Sequence, residues 1–108
     1  MKTLTIILLL PLAIFAQGLY NNGANIVFSG GSQIYIDDVT NGNYFTTGTG
    51  SITASSTSTI TLLKNWTNNS SNNGFATPDG GGVVLAGNAQ TIGGSAATAF
   101  YNLSLAGN

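Results

Sequence analysis

The chain has 108 residues, of which only two lysines and three aspartates are charged, for a net charge of −1. One cation in the body of the chain cannot neutralise a run of phosphates, so nucleic-acid binding and adsorption to an anionic membrane surface are excluded as expectations. His and Cys are absent, which removes disulfide staples and, with Glu and Arg also missing, leaves the many Ser and Thr hydroxyls without a base to activate them.

The first segment, "MKTLTIILLLPLAIFAQG", places one positive charge at Lys2 before an apolar run from Leu4 to Ala16. The run is shorter than the roughly twenty residues of a membrane span, and Pro11 would break such a helix. Residues 1–16 therefore read as a cleaved secretory signal, with the cut between Ala16 and Gln17, and no stable membrane span is expected.

From Gln17 on the composition changes, with 50 of the remaining 92 residues being Gly, Asn, Ser or Thr. A disordered chain of that kind would lack β-branched and aromatic residues, yet here they recur regularly. Strand-like bursts fall at 25–29, 33–37, 43–47, 51–55, 58–63, 82–86, 89–93 and 99–105, separated by Gly-Gly, Asn-Gly, Asn-Asn and Gly-Asn turn formers. No apolar stripe of helical period follows the leader, so residues 17–108 are expected to be all-β.

Spacing points to a stacked architecture. Ile26, Ile34, Tyr44, Ile52 and Ile60 recur at intervals of 8, 10, 8 and 8, and Val84, Ile92 and Phe100 at intervals of 8 and 8. Sliding the chain along itself also lays 25–36 on 82–93 and Tyr44 on Tyr101, an offset that suits two or three turns of a solenoid. The expectation is a partial β-solenoid over 17–108, a right-handed parallel β-helix in which Asn, Thr and Ser form hydrogen-bonded ladders between turns.

Few residues carry candidate chemistry. Trp66, the single tryptophan, is either a stacking platform for a sugar ring or, the favoured reading, a packing residue. Adjacent Asp37 and Asp38 would point to opposite faces of a strand, which suits a solvated turn better than paired acid-base work or a calcium cage. Asp79 in "TPDGGG" is read as a turn residue, and its glycines lack the Lys and helix of a phosphate loop. The Thr-rich stretch 46–61 admits an ice- or glycan-binding face, against the plainer reading that Thr is a good strand former. No cofactor or metal is called for.

The order of motifs in 60–108 resembles a repeat of large exported surface proteins of Bacteroidota. Its elements are "NWTNN" (65–69), "GVVLAGNAQTIGG" (82–94) and "FYNL" (100–103); the leader ending "FAQG" is similar as well. That resemblance implies long, adhesin-like β-helical proteins at the outer-membrane surface or outside the cell, exported by the type IX secretion system through a C-terminal sorting domain, which 17–108 does not contain. The implied function is a non-enzymatic structural or adhesive segment. Its partners would be further coils of the same longer protein, extracellular glycans or other cell-surface proteins. The alternatives are a glycan- or ice-binding module, or the non-catalytic beginning of a β-helical carbohydrate-active enzyme.

Overall fold

The computed structural model describes residues 18–75 and 81–107. The leader with its Ala16–Gln17 cut and the turn residue Asp79 lie outside the described residues. Within them the protein is all-β, with parallel sheets and no helix. The strands are β1 (Gly18–Asn22), β2 (Asn25–Phe28), β3 (Gln33–Ile36), β4 (Asn43–Gly48), β5 (Ser51–Ala54), β6 (Thr59–Leu62), β7 (Trp66–Ser70), β8 (Gly82–Leu85), β9 (Ile92–Gly93) and β10 (Asn102–Leu105).

The chain visits three sheets in rotation. The first sheet has the order β1-β4-β7-β9, the second β2-β5, and the third β10-β8-β6-β3. Phe75 extends the second sheet through a parallel bridge to Ile52. Every pairing is parallel, so each neighbour must be reached by a long connection, and for all but the β8–β10 pair that connection runs through the other two sheets. Gly18 faces Asn43, Asn25 faces Ser51 and Gln33 faces Thr59, so one pass through the three sheets takes about 25 residues, within the range of solenoid repeats. The next pass is slightly shorter, from Tyr44 to Trp66 and from Thr59 to Gly82. The last is uneven, longer from Trp66 to Ile92 than from Gly82 to Asn102.

In-register pairing stacks like side chains into inward rows, because alternate residues of a strand share a face. The third sheet carries Ile34, Ile60, Val83 and Leu103 in one row and Ile36, Leu62, Leu85 and Leu105 in the next. In the first sheet Leu19, Tyr44, Trp66 and Ile92 form one row, and Asn21, Thr46 and Asn68 the next. These rows meet inside as one core built from Tyr44, Ile52, Ile60, Leu62, Trp66, Val83 and Leu85, with Phe28 and Ala54. Burying each of the large aliphatic members contributes about 1.5–3 kcal/mol relative to exposure.

The short apolar spacing is the repeat that the structure uses: Ile26, Ile34, Tyr44, Ile52 and Ile60 lie on inward rows of successive strands, and every third step returns to the same sheet. The longer repeat, 25–36 on 82–93, is not. It lays β2, which pairs with β5, on β8, which pairs with β6 and β10, so the two segments sit in different sheets. It also sets buried Tyr44 on Tyr101, which is half exposed and outside any strand. Low complexity lets any two alternating segments match in phase, whereas the core distinguishes inward from outward residues. For the same reason the series Val84, Ile92 and Phe100 starts one position late: Val83, not Val84, faces the interior.

Two strands were not foreseen, β1 and β7. The sequence "WTNNS" alternates buried and half-buried residues as strictly as any strand in the protein, but its inward residues after Trp66 are Asn68 and Ser70. Asn68 donates its amide to the carbonyls of Asn72 (3.2 Å) and Ala97 (2.9 Å) and accepts from the Ser70 amide N–H (3.0 Å) and hydroxyl (2.6 Å). A buried amide with its partners supplied is tolerated where an unpaired one is not. Gly94, at φ +119°, lies against this residue so closely that a Cβ would run into the Asn68 carbonyl.

Asparagine ladders exist, with a change of partner. The Asn43 Oδ1 accepts the Asn65 backbone N–H of the next pass (3.0 Å), and Asn65 Oδ1 in turn accepts that of Thr91 (2.8 Å). Asn69 does the same for Ser95 (2.7 Å). The expected side-chain-to-side-chain bonding is largely replaced by side-chain-to-backbone bonding, which ties loops of one pass to the strands of the pass before.

Candidate functional site

Trp66 has no surface to offer a ligand. Its side chain is fully buried, with ring centroids of Tyr44, Phe100 and Phe75 at 4.2, 5.1 and 5.9 Å. The indole N–H donates to Thr98 Oγ1 at 3.0 Å. The sugar-stacking reading is therefore corrected to packing: in-register pairing places position 66 on the same inward row as Tyr44, and the last pass closes over it through Phe100 and Thr98.

Asp37 and Asp38 follow the end of β3, and Asp38 serves the turn. Its Oδ1 accepts the backbone N–H groups of Thr40 (2.7 Å) and Asn41 (3.0 Å), and its carbonyl that of Gly42 (2.8 Å). This is the Asx-type turn that Asp supports. No group of three or more His, Cys, Asp or Glu side chains comes together among the described residues.

Two recesses open beside the core. One of about 520 Å³ is lined by Leu19, Ile26, Phe28, Ile34 and Ile36, with the aspartates at its rim. The other, about 380 Å³, lies between Leu85, Gln90, Ile92 and Leu105. Both are ends of the inward rows. The rows explain why exposure climbs from 0–4% at Ile60, Leu62, Val83 and Leu85 to 40% at Leu103 and 74% at Leu105: beside β10 no further strand is described.

The outward faces differ in what they present. The threonines of the 46–61 stretch are dispersed: Thr46 points inward, Thr47 lies on the first sheet, Thr53 on the second, and Thr59 and Thr61 on the third. None pairs with another threonine. Thr47 faces Asn22 and Asn69, Thr53 faces Val27, Thr59 faces Gln33 and Gly82, and Thr61 faces Tyr35 and Val84. A regular hydroxyl array of the kind expected for ice is therefore not assembled by this register.

What the sequence did not signal is an aromatic pair on the outside of the first sheet. Tyr20 and Phe45 are directly opposite on β1 and β4, stacked at 5.1 Å between centroids and 12° between planes. Tyr20 remains 62% exposed. The same row continues to Thr67 and Gly93, and the neighbouring outward row is Asn22, Thr47 and Asn69. The signal available was parity: Tyr20 and Phe45 are one position out of phase with the inward row of Leu19 and Tyr44.

Among the described residues no helix is long and apolar enough to cross a membrane. Comparison with protein families, curated proteins and solved structures returned no match.

Proposed function

We propose that the three sheets are the sides of a right-handed parallel β-helix, and that the chain is a non-enzymatic structural and adhesive segment of an exported bacterial surface protein. The observation that carries this reading is the common rotation: all three sheets advance together, first by about 25 residues and then by a slightly shorter step, as successive coils of a solenoid would. Stacked Asn-to-backbone bonds and continuous aliphatic rows are what hold such coils together. Export rests on the leader and its Ala16–Gln17 site. Further coils of the same protein are the natural cover for Leu103 and Leu105, whose rows they would extend. A place at the start of a carbohydrate-active enzyme would use the same scaffold, with its acid and base groups supplied from elsewhere.

The cysteine-free chain offers a direct test. Double variants Thr47→Cys/Asn69→Cys, Val27→Cys/Thr53→Cys and Thr61→Cys/Val84→Cys place one pair in each sheet at the separation a disulfide spans. All three should oxidise within a monomer, and failure in any one sheet would break the coil reading. N-terminal sequencing of the native protein should begin at Gln17, and protease treatment of intact cells should remove it; a protected, unprocessed chain would overturn the surface assignment.

A further inference from the structure

We infer that the outward face of the first sheet, centred on Tyr20, binds an uncharged glycan. The inference rests on the adhesive reading above and names the face and the ligand class. Phe45 covers one face of the Tyr20 ring. Among the described residues β1 is the edge strand of its sheet, so the opposite face looks outward along the row, at the position where the next ring of the stack would sit. A pyranose presents a flat array of C–H groups of about the dimensions of such a ring, and aromatic faces with their negative quadrupole attract it.

Polarity beside the ring supports a sugar over a purely apolar partner. Asn22, Thr47 and Asn69 form the next outward row, about 7 Å along the strands, the width of one sugar unit. The Asn22 amide, the hydroxyls of Thr47 and Thr67 and the Asn69 Nδ2 make no hydrogen bond to any other described residue, whereas inward Asn21 and Asn68 are fully engaged. A row of amide and hydroxyl groups two positions from an aromatic platform supplies both halves of sugar recognition, apolar stacking and hydroxyl bonding. No charged residue lies on these outward rows, so the ligand is neutral and not a uronate or sulfated chain.

The outward face of the third sheet is the internal control. Tyr35 is equally exposed at 62%, but it faces Thr61 rather than a second ring, so its aromatic surface is single and unstacked.

The test is retention of the full chain on insoluble cellulose, chitin and mannan, with polygalacturonate and heparin as charged comparisons. At least one neutral polysaccharide should retain it, and Tyr20→Thr, which keeps a good strand former and removes the ring, should weaken retention by about tenfold, the scale of one stacked ring. Tyr20→Trp should restore it, and Tyr35→Thr should leave it unchanged. Trp66 emission reports the fold in every variant that adds no tryptophan, and urea unfolding reports it for Tyr20→Trp; if Tyr20→Thr perturbs the emission, Phe45→Thr and Asn22→Ala carry the test. Retention on none of the neutral polysaccharides, preference for the charged ones, or equal loss from Tyr35→Thr would overturn the proposal. Absence of binding by the unsubstituted chain, where each of the three double-cysteine variants separately forms its cross-link, would remove the glycan and leave the coil stack standing.

Discussion

The first and third sheets are both parallel and both pack on the one core, but they fill the interior differently. The third sheet sends in two aliphatic rows, Ile34 to Leu103 and Ile36 to Leu105. The first sends in a row centred on rings, Tyr44 on Trp66, and beside it a row of polar residues, Asn21, Thr46 and Asn68. Aliphatic rows require nothing but contact. A buried amide needs partners, and here backbone carbonyls supply them, Ala24 and Ser51 for Asn21 and Asn72 and Ala97 for Asn68, while the Thr46 hydroxyl between them has none among the described residues. The comparison teaches that this chain uses buried amides to shape its corners and aliphatics to glue its flat side.

Substitutions can break that contrast. Trp66→Ala should be the most damaging, by about 3–5 kcal/mol in urea unfolding, since it empties a fully enclosed site and strips Tyr44, Phe75 and Phe100 of a shared neighbour. A loss below about 1 kcal/mol would mean that the rings do not form one cluster. Asn68→Ala should cost about 1–3 kcal/mol, because the Ala97 carbonyl and the Ser70 amide N–H lose a partner where water is excluded. The aliphatic rows contain no position with that dependence.

Tyr44→Phe should have the smallest effect and the opposite sign. The Tyr44 Oη is buried without a hydrogen-bond partner among the described residues, as is Thr46 Oγ1, so removing the hydroxyl should stabilise the fold by about 1 kcal/mol or less. Burial pushes the Tyr44 pKa above its ordinary value. The unfolded chain then releases this proton at lower pH than the folded one, so stability present below the ordinary tyrosine pKa is lost as the pH rises beyond it. Denaturant titrations across that range should show a steeper alkaline decline in the wild type than in Tyr44→Phe.

Much of the fold was legible because a strand writes its period into the sequence. The bursts at 25–29, 33–37, 43–47, 51–55, 58–63 and 82–86 lie on β2, β3, β4, β5, β6 and β8, shifted by a single position or less at either end. The bursts at 89–93 and 99–105 shrink to β9 and β10, where Gly94 turns the chain and the Gln90 side chain, bonded to the Leu62 and Lys64 carbonyls, holds the approach in a loop. β7 escaped because Asn68 reads as a turn former until its partners, Asn72 nearby and Ala97 in the following pass, are known. Trp66 likewise gave no sign of whether its ring faced in or out, since that depends on the register with Tyr44 in the preceding pass.

Composition and alternation by themselves determined an all-β chain punctuated by Gly and Asn turns, short of charge and of catalytic groups. Those properties are local: each follows from a residue's own backbone preference and its immediate neighbours. The tertiary structure alone decided which residues share a row, that the amides of Asn21, Asn43, Asn65 and Asn68 are spent on the backbone of neighbouring segments, and that Tyr20 stacks on Phe45 at the surface while Trp66 is buried. These are properties of register. Register is set by the fit between strands a whole pass apart, which no short window of sequence contains.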